Sequence, residues 1–234
     1  MMNRFSRKQV VIVLSLLAVL FAGGHGVWQK YGERLTNPYY GLNTYFEVQM
    51  DEATRVLIQQ RLATAQASLA AQQQNGEDVD TQLYLVIAEQ HKMLGDLVAS
   101  RETYEAYLDR VSTSHVAWNA YAKILDLMND VSASETAYAK TLSVFHGEEY
   151  YRDYVGFLQR RFPERRADVK VLLDEAYTRF GQTLWTMTAL GDWYFDAKDC
   201  TQGKAHYDVA IALSDDDATL RRDVQELLEA CEQR

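Results

Sequence analysis

A self-similarity with a period of 34 or 35 residues is the feature that most constrains how this 234-residue chain can fold. A large apolar residue followed by a small one recurs four times, and the small residues lie 34, 34 and 35 positions apart. The four pairs are Ile87-Ala88, Tyr121-Ala122, Val155-Gly156 and Leu190-Gly191. A unit of this length cannot bury its apolar face alone, so the spacing predicts that neighbouring units stack into one continuous core.

Further columns keep the same spacing and predict two helices in each unit. A small residue beside a large one allows helices to approach closely, and an acidic residue favours the start of a helix. The acidic column is Asp96, Asp130, Glu164 and Asp199, a mostly small column is Ser100, Ser134, Asp168 and Gly203, and a large one is Tyr104, Tyr138, Leu172 and Tyr207. The third unit matches least, but Pro163 can begin a helix there and Gly181 can end one.

These columns resemble the tetratricopeptide repeat (TPR). The fourth unit matches the family pattern at Met187, Leu190, Gly191, Tyr194, Gly203, Tyr207 and Ala210, and the second at Trp118, Tyr121, Ala122, Leu125, Ser134 and Tyr138. The proline usually found at the end of each family repeat is missing throughout. The resemblance implies an all-α fold: a right-handed TPR-like helical solenoid of about four helix pairs over residues 80–234, ending in a capping helix at residues 217–233.

Two segments are expected just before the repeats. Residues 31–50 are predicted to be a linker, since Asn37-Pro38 and Gly41 favour turns. Residues 51–76 predict a leading helix that begins at Asp51 and ends near Gly76. Its narrow apolar stripe allows two interpretations: packing on the first repeat, which we favour, or self-association as a short coiled coil.

Residues 1–30 have the pattern of an export signal, with Arg4, Arg7 and Lys8 followed by the charge-free residues 10–22. The strictly apolar core is short enough for a cleaved signal peptide. Residues 10–28 are also long enough for a single N-terminal hydrophobic helix that spans the membrane as a signal anchor. We favour the anchor, with the N-terminus cytoplasmic and the repeat domain extracytoplasmic. The alternative is a secreted or periplasmic protein after signal cleavage.

The sequence contains no motif that indicates catalysis, so we expect neither enzyme activity nor a cofactor. The five histidines do not pair with cysteines, acidic residues or one another at metal-ligand spacings, which predicts no metal site. It has no glycine-rich phosphate loop and no nucleophile elbow. The net charge of −9 argues against nucleic-acid binding.

The resemblance implies that the first helix of each pair lines the concave side, where another protein or a peptide would bind. The candidate lining residues are Leu85, Glu89, Lys92, Asn119, Lys123, Asp126, Asp153, Phe157, Arg160, Thr188, Asp192 and Phe195. Because their charges have mixed signs, we predict no carboxylate-specific clamp. A separate hypothesis is a disulfide between Cys200 and Cys231 that would lock the capping helix, with two independent thiols as the alternative.

The chain resembles small membrane-anchored TPR proteins of bacteria, and this resemblance implies a membrane-anchored extracytoplasmic adaptor or scaffold of the bacterial envelope. Its TPR-like domain would present a protein–protein interaction surface. The alternative is a self-associating structural component, a homo-oligomer within an envelope, secretion or pilus assembly.

Overall fold

In the computed structural model, residues 37–76 and 78–233 are described, and they belong to two compact units divided after Thr44. The described part of the first unit is a turn. The backbone N–H of Tyr40 donates to the carbonyl of Asn37, and Gly41 adopts a positive φ of 80°. The predicted hydrophobic segment at residues 10–28 lies outside the described residues.

The second unit begins with an extended stretch that contacts the turn after the first repeat helix. The N–H of Phe46 donates to the carbonyl of Gly95 at 3.1 Å, and Tyr45 forms an antiparallel bridge with Asp96. Gly95 has a φ of 86°, and a Cβ at this position would lie 2.2 Å from the Phe46 carbonyl oxygen. Only glycine therefore fits both the backbone conformation and the close approach.

Helix α1 (Glu52–Asn75) is the leading helix. Asp51 caps its N-terminus by accepting the Thr54 N–H, and Gly76 ends it with a left-handed φ of 68°. Its two buried residues are Ile58 and Ala65, seven positions apart and therefore on one face. Its C-terminal end contacts the first repeat helix, where Gln73 hydrogen-bonds to Tyr84. This arrangement favours packing on the repeats over a coiled coil.

Four helix pairs and a final helix follow. They are α2 (Gln82–Met93) with α3 (Leu97–Leu108), α4 (His115–Leu127) with α5 (Val131–Val144), α6 (Glu148–Arg161) with α7 (Arg166–Phe180), α8 (Leu184–Asp196) with α9 (Cys200–Leu213), and then α10 (Ala218–Glu232). The described residues thus form the predicted all-α, TPR-like array. They include no helix with the length and apolar character needed to span a bilayer.

The acidic column begins the second helix of three pairs. Asp96, Asp130 and Asp199 are the N-cap residues of α3, α5 and α9, and each carboxylate accepts a backbone N–H from the first turn. The third pair differs, because α7 begins after Arg165 and has no side-chain cap. The expectation that Pro163 begins this helix is wrong: Pro163 lies in the turn, and helical structure starts three residues later.

The small columns set the distance between paired helices in two different ways. In the first two pairs a serine hydroxyl crosses between helices: Ser100 donates to the Ala88 carbonyl and Ser134 to the Ala122 carbonyl, each at 2.9 Å. The fourth pair relies on glycine, since a Cβ on Gly191 would lie 2.4 Å from the Tyr207 ring. Large buried side chains, among them Tyr104, Tyr138, Tyr151 and Phe157, fill the space between helices.

Candidate protein-binding groove on the first-helix face

The candidate site lies on the first-helix face, which we define as the exposed sides of α2, α4, α6, α8 and α10. Residues 34 or 35 positions apart occupy equivalent places on successive first helices. Three such columns contain all twelve predicted lining residues. The columns are Leu85, Asn119, Asp153 and Thr188; Glu89, Lys123, Phe157 and Asp192; and Lys92, Asp126, Arg160 and Phe195.

The middle of this face is an ion-pair network that joins neighbouring repeats. The Asn119 amide donates to the Asp153 carboxylate at 2.8 Å, and Lys123 Nζ lies 2.6 Å from the same carboxylate. The Asp126 carboxylate pairs with Arg160 at 3.1 Å and with Arg161 at 2.6 Å. Since opposite charges here neutralise one another, this part of the face offers no strong field to a charged ligand.

In the first helix pair, too, the polar side chains of this face bind one another. Glu89 forms an ion pair with Lys92 on α2 and also accepts a hydrogen bond from the hydroxyl of Tyr104 on α3. Burial and this contact raise the pKa of Tyr104 above its usual value of 10.0. Leu85 on the same helix is half-buried. These side chains therefore hold α2 against α3 and are only partly available to a partner.

Three of the predicted lining residues, Asn119, Phe157 and Phe195, are buried, with exposed fractions of 7%, 0% and 8%, which corrects the prediction. Phe157 and Phe195 belong to the core, and Asn119 is buried where it donates to Asp153. Phe157 packs on Tyr138, with ring centroids 5.1 Å apart, and Phe195 packs on Tyr207 at 5.8 Å. Both phenylalanines follow the column spacing, but Phe195 faces α9, the partner of its own helix, and Phe157 faces α5 of the preceding pair.

The apolar groove, as we name it, crosses α6, α8 and α10 near their N-terminal ends and has a volume of about 510 Å³. Its lining residues are Glu148, Arg152, Leu184, Trp185, Thr188, Ser214, Asp217 and Leu220. Of the twelve predicted residues, only Thr188 lines it. The structure therefore places this recess one turn before the predicted columns.

A sequence signal for this groove exists and was missed. Val116, Tyr150, Trp185 and Leu220 are separated by 34, 35 and 35 residues, so they form another column of large apolar side chains. Tyr150 is buried in the core formed with Tyr151 and Leu142, and Trp185 packs partly against that core. The last two members of the column, Trp185 and Leu220, instead line the groove.

Local interactions fix the groove's walls. Thr183 and Thr186 form a reciprocal capping box that starts α8 and so positions Leu184 and Trp185. Leu184 is 45% exposed, so its side chain is available to a bound segment. On the opposite wall, Arg152 lies 5.7 Å from the Trp185 ring centroid and forms an ion pair with Glu148 at 3.0 Å.

The third wall belongs to α10, which is held by a disulfide. Cys200, the first residue of α9, is bonded to Cys231 near the end of α10, and the two Cα atoms are 5.9 Å apart. Asp217 caps the other end of α10 by accepting two backbone N–H groups. The cap and the disulfide thus hold both ends of a helix whose only buried described residue is Val224.

One turn along α8 from the groove lies an unusual carboxylate, Asp192. Its Oδ1 accepts a hydrogen bond from the Tyr207 hydroxyl, with an O–O distance of 2.5 Å. Burial raises the pKa of Asp192 above its usual value of 3.8, and the negative charge of Asp196 adds to this rise, although the Tyr207 hydrogen bond opposes it. No ion pair neutralises Asp192 in the described part of the chain, in contrast to Asp126 and Asp153.

Within residues 37–76 and 78–233, no group of three or more His, Cys, Asp or Glu side chains is arranged to hold a metal ion. His91 illustrates the role the histidines have instead. It is half-buried near Gln66 and Asp96, and burial lowers its pKa below 6.5. It is thus a packed residue between α1 and α2.

No protein-family model matches this chain, and no curated protein matches it in sequence. Similar solved structures include YrrB, described as a TPR protein with an unusual peptide-binding site, with a TM-score of 0.54 and 13% identity. That match covers 73% of this chain and 86% of YrrB. The fragment MamA 41-end from Desulfovibrio magneticus RS-1 matches with a TM-score of 0.50 and 12% identity, over 65% of this chain and 91% of the fragment. At these identities the likeness shows the fold alone: the described domain is a TPR-like repeat.

Proposed function

We propose that this protein is an adaptor or scaffold whose apolar groove binds a segment of another protein. The observation that carries the proposal is an open, three-walled recess lined by Trp185, by the half-exposed Leu184 and by Leu220. An aromatic side chain beside exposed aliphatic ones is the composition that anchors partner segments at protein interfaces. YrrB, which shares the fold, is described by its peptide-binding site, and this supports the same class of role here.

We also propose that the adaptor is anchored in a membrane and acts outside the cytoplasm. The support is the basic cap and apolar run in residues 4–28 of the sequence. The disulfide between Cys200 and Cys231 adds independent support, because such bonds persist mainly in oxidising compartments. Mass spectrometry of the mature protein tests whether the segment is retained, because it shows whether the chain still begins at Met1. A mature chain that begins near residue 24 would contradict anchoring.

Site-specific photo-crosslinking in intact cells tests the groove. A photoreactive amino acid placed at Thr188 in the full chain should crosslink to one dominant foreign protein. The matched control is the same substitution at Val171, which is 65% exposed on α7, a second helix. Crosslinks of equal yield to the same proteins from both positions, or none from Thr188, would contradict binding in the groove.

A further inference from the structure

We propose that the segment bound in the apolar groove is amphipathic and basic. Its apolar side chains would lie in the groove, and its Lys or Arg side chains would contact the acidic residues Asp192 and Asp196 beside the groove. This inference rests on the proposed function and specifies its partner. It comes from the distribution of charge in the chain and from the surroundings of Asp192.

The negative charge of this protein is concentrated in its last quarter. Residues 181–233 carry eleven acidic and four basic side chains, whereas the whole chain has 33 acidic and 24 basic ones. Together with Arg234, these residues carry a net charge of −6, about two-thirds of the −9 of the whole chain. These elements supply two of the three walls of the apolar groove. Long-range attraction would steer a basic partner to this end of the array.

The local arrangement gives this charge a place to act. Asp192 follows Thr188 by one turn on α8, and Asp196 follows Asp192 by another, so all three share one side of the helix. The Asp192 carboxylate contacts the Tyr207 hydroxyl, and the charge of Asp223 on α10 also acts on that tyrosine. Carboxylates of α8 and α10 thus both act on the Tyr207 hydroxyl.

Other carboxylates on the first helices already have cations, and Glu89, which belongs to the same column as Asp192, pairs with Lys92. Asp153 pairs with Lys123, and Asp126 pairs with Arg160 and Arg161. Within the described part of the chain, Asp223 pairs with Arg222 alone, whose side chain is 67% exposed. The ion pairs of the described residues include none for Asp192 or Asp196, although Arg166 binds the backbone carbonyl of Asp196. A partner's Lys or Arg would therefore supply here what neighbouring repeats supply elsewhere on the face.

Charge also selects against other partners. The Asp192 carboxylate accepts the Tyr207 hydrogen bond but has no ion-pair partner among the described residues, so its ionised form is poorly compensated, in line with the raised direction of its pKa. An acidic segment would increase this repulsion, whereas a cation would relieve it, so electrostatics would discriminate between two segments with identical apolar residues. The apolar requirement is separate, since it depends on Leu184, Trp185 and Leu220.

The test uses two matched pools of helix-forming 16-residue peptides that share their randomised apolar positions. One pool has Lys and Arg at its polar positions and the other has Asp and Glu. Binding is measured to the full chain in nanodiscs of zwitterionic phosphatidylcholine, with empty nanodiscs subtracted. We expect binders from the basic pool only, and we expect their affinity to weaken as the salt concentration rises.

Three variants locate the binding. Leu184→Ala should remove most of it, whereas Val171→Ala, which truncates an exposed side chain outside the groove, should leave it unchanged. Asp192→Asn combined with Asp196→Asn should weaken the basic binders roughly three- to thirtyfold, the effect of two partly exposed ion pairs. Circular dichroism of each variant establishes that the fold is retained.

The outcomes separate the two proposals. Binders from the acidic pool, or from both pools equally, that are lost in Leu184→Ala would overturn the basic partner and leave the groove function standing. If basic peptides bind the Leu184→Ala variant with unchanged affinity, they bind outside the groove, and the inference is overturned. If neither pool binds, the inference fails, and crosslinking from Thr188 then decides the groove function alone.

Discussion

Single side chains at the contact between paired helices set how closely those helices approach. Gly191 on α8 faces the ring of Tyr207 on α9, and Gly203 on α9 faces the ring of Phe195 on α8. The absence of a Cβ at both positions lets each aromatic ring lie directly against the opposite backbone. Gly156 in the third pair has more room, since its nearest neighbour would be the flexible side chain of Arg160 at 3.3 Å.

Gly191→Ala should therefore destabilise the fourth pair. The added Cβ would lie 2.4 Å from the Tyr207 ring, and overpacking of this kind costs about 1–3 kcal/mol. Urea unfolding measures the change in the free energy of unfolding. The control is Gly156→Ala, which we expect to be neutral or to stabilise by up to about 1 kcal/mol, because alanine is the better helix former. Equal effects from both variants would contradict this explanation.

Asp192 gives a pH-dependent prediction. A carboxyl whose pKa is higher in the folded state binds more protons when folded, so the free energy of unfolding falls as pH rises from its usual value of 3.8 through the raised one. Asparagine can still accept the Tyr207 hydroxyl and does not titrate. We therefore expect Asp192→Asn to have a higher Tm than wild type at pH 7, with the difference shrinking towards pH 4.

Thermal unfolding from pH 4 to pH 7.5 checks the sign of this effect. Asp208→Asn is the comparison, because Asp208 lies on the exposed side of α9 and pairs with Lys204 at 2.7 Å. That variant should lower Tm slightly at pH 7 through loss of the pair. A lower Tm for Asp192→Asn at neutral pH would mean that the hydrogen bond from Tyr207 outweighs the burial of the charge.

Among the helices, α10 depends least on the hydrophobic core. Only Val224 is buried among its described residues, so its position depends on the Asp217 cap and on the disulfide with α9. A bond between residues separated by 31 positions stabilises by on the order of 3–4 kcal/mol in the chain-entropy account. This helix also forms one wall of the apolar groove.

Cys200→Ser combined with Cys231→Ser should therefore free α10 before any other repeat helix. Hydrogen exchange should show loss of protection in α10 with little change in α4 and α5. Reduction of the wild-type protein should reproduce the pattern, and peptides bound in the apolar groove should bind more weakly in both cases. Unchanged exchange in α10 would show that the cap is held by packing alone.

The helices themselves could be derived from sequence to a large extent, because local signals specify them. The acidic column predicts the N-caps Asp96, Asp130 and Asp199, since a cap depends only on the residues of its own first turn. The third pair departs from the pattern for a local reason too: Glu164 does not cap α7, and the helix starts after Arg165. In the third pair, Glu164 thus keeps the column spacing, but it forms no N-cap hydrogen bond.

The candidate site could be derived only in part, because it depends on contacts between repeats. Column spacing correctly groups Asn119 with Asp153 and Asp126 with Arg160, but it does not reveal that these residues bind one another. Nor does it distinguish the sides of a helix that face neighbouring helices, which is where Phe157 and Phe195 lie. The groove also needs α10, whose position depends on a covalent bond between distant residues.

At the scale of the whole array, stability depends on contacts between neighbouring repeats. Arg161 joins the second pair to the third through contacts with Asp126 and Asn129. Its guanidinium contacts the Asp126 carboxylate at 2.6 Å, the Asp126 carbonyl at 2.7 Å and the Asn129 side-chain oxygen at 3.1 Å. Arg160 contacts the same carboxylate through one bond at 3.1 Å, and its side chain is 61% exposed.

This contrast gives a matched pair of variants at one carboxylate. Arg161→Ala should cost about 1–3 kcal/mol, because it leaves the carbonyl and the 15% exposed Asp126 carboxylate short of partners. Arg160→Ala should cost no more than about 1 kcal/mol. Because the lost contacts lie between two repeats, Arg161→Ala should also reduce cooperativity, so that urea unfolding has a lower slope and α6 to α9 lose hydrogen-exchange protection before α2 to α5. If the two variants are equally stable and both unfold in one transition with the wild-type slope, Arg161 does not couple the repeats.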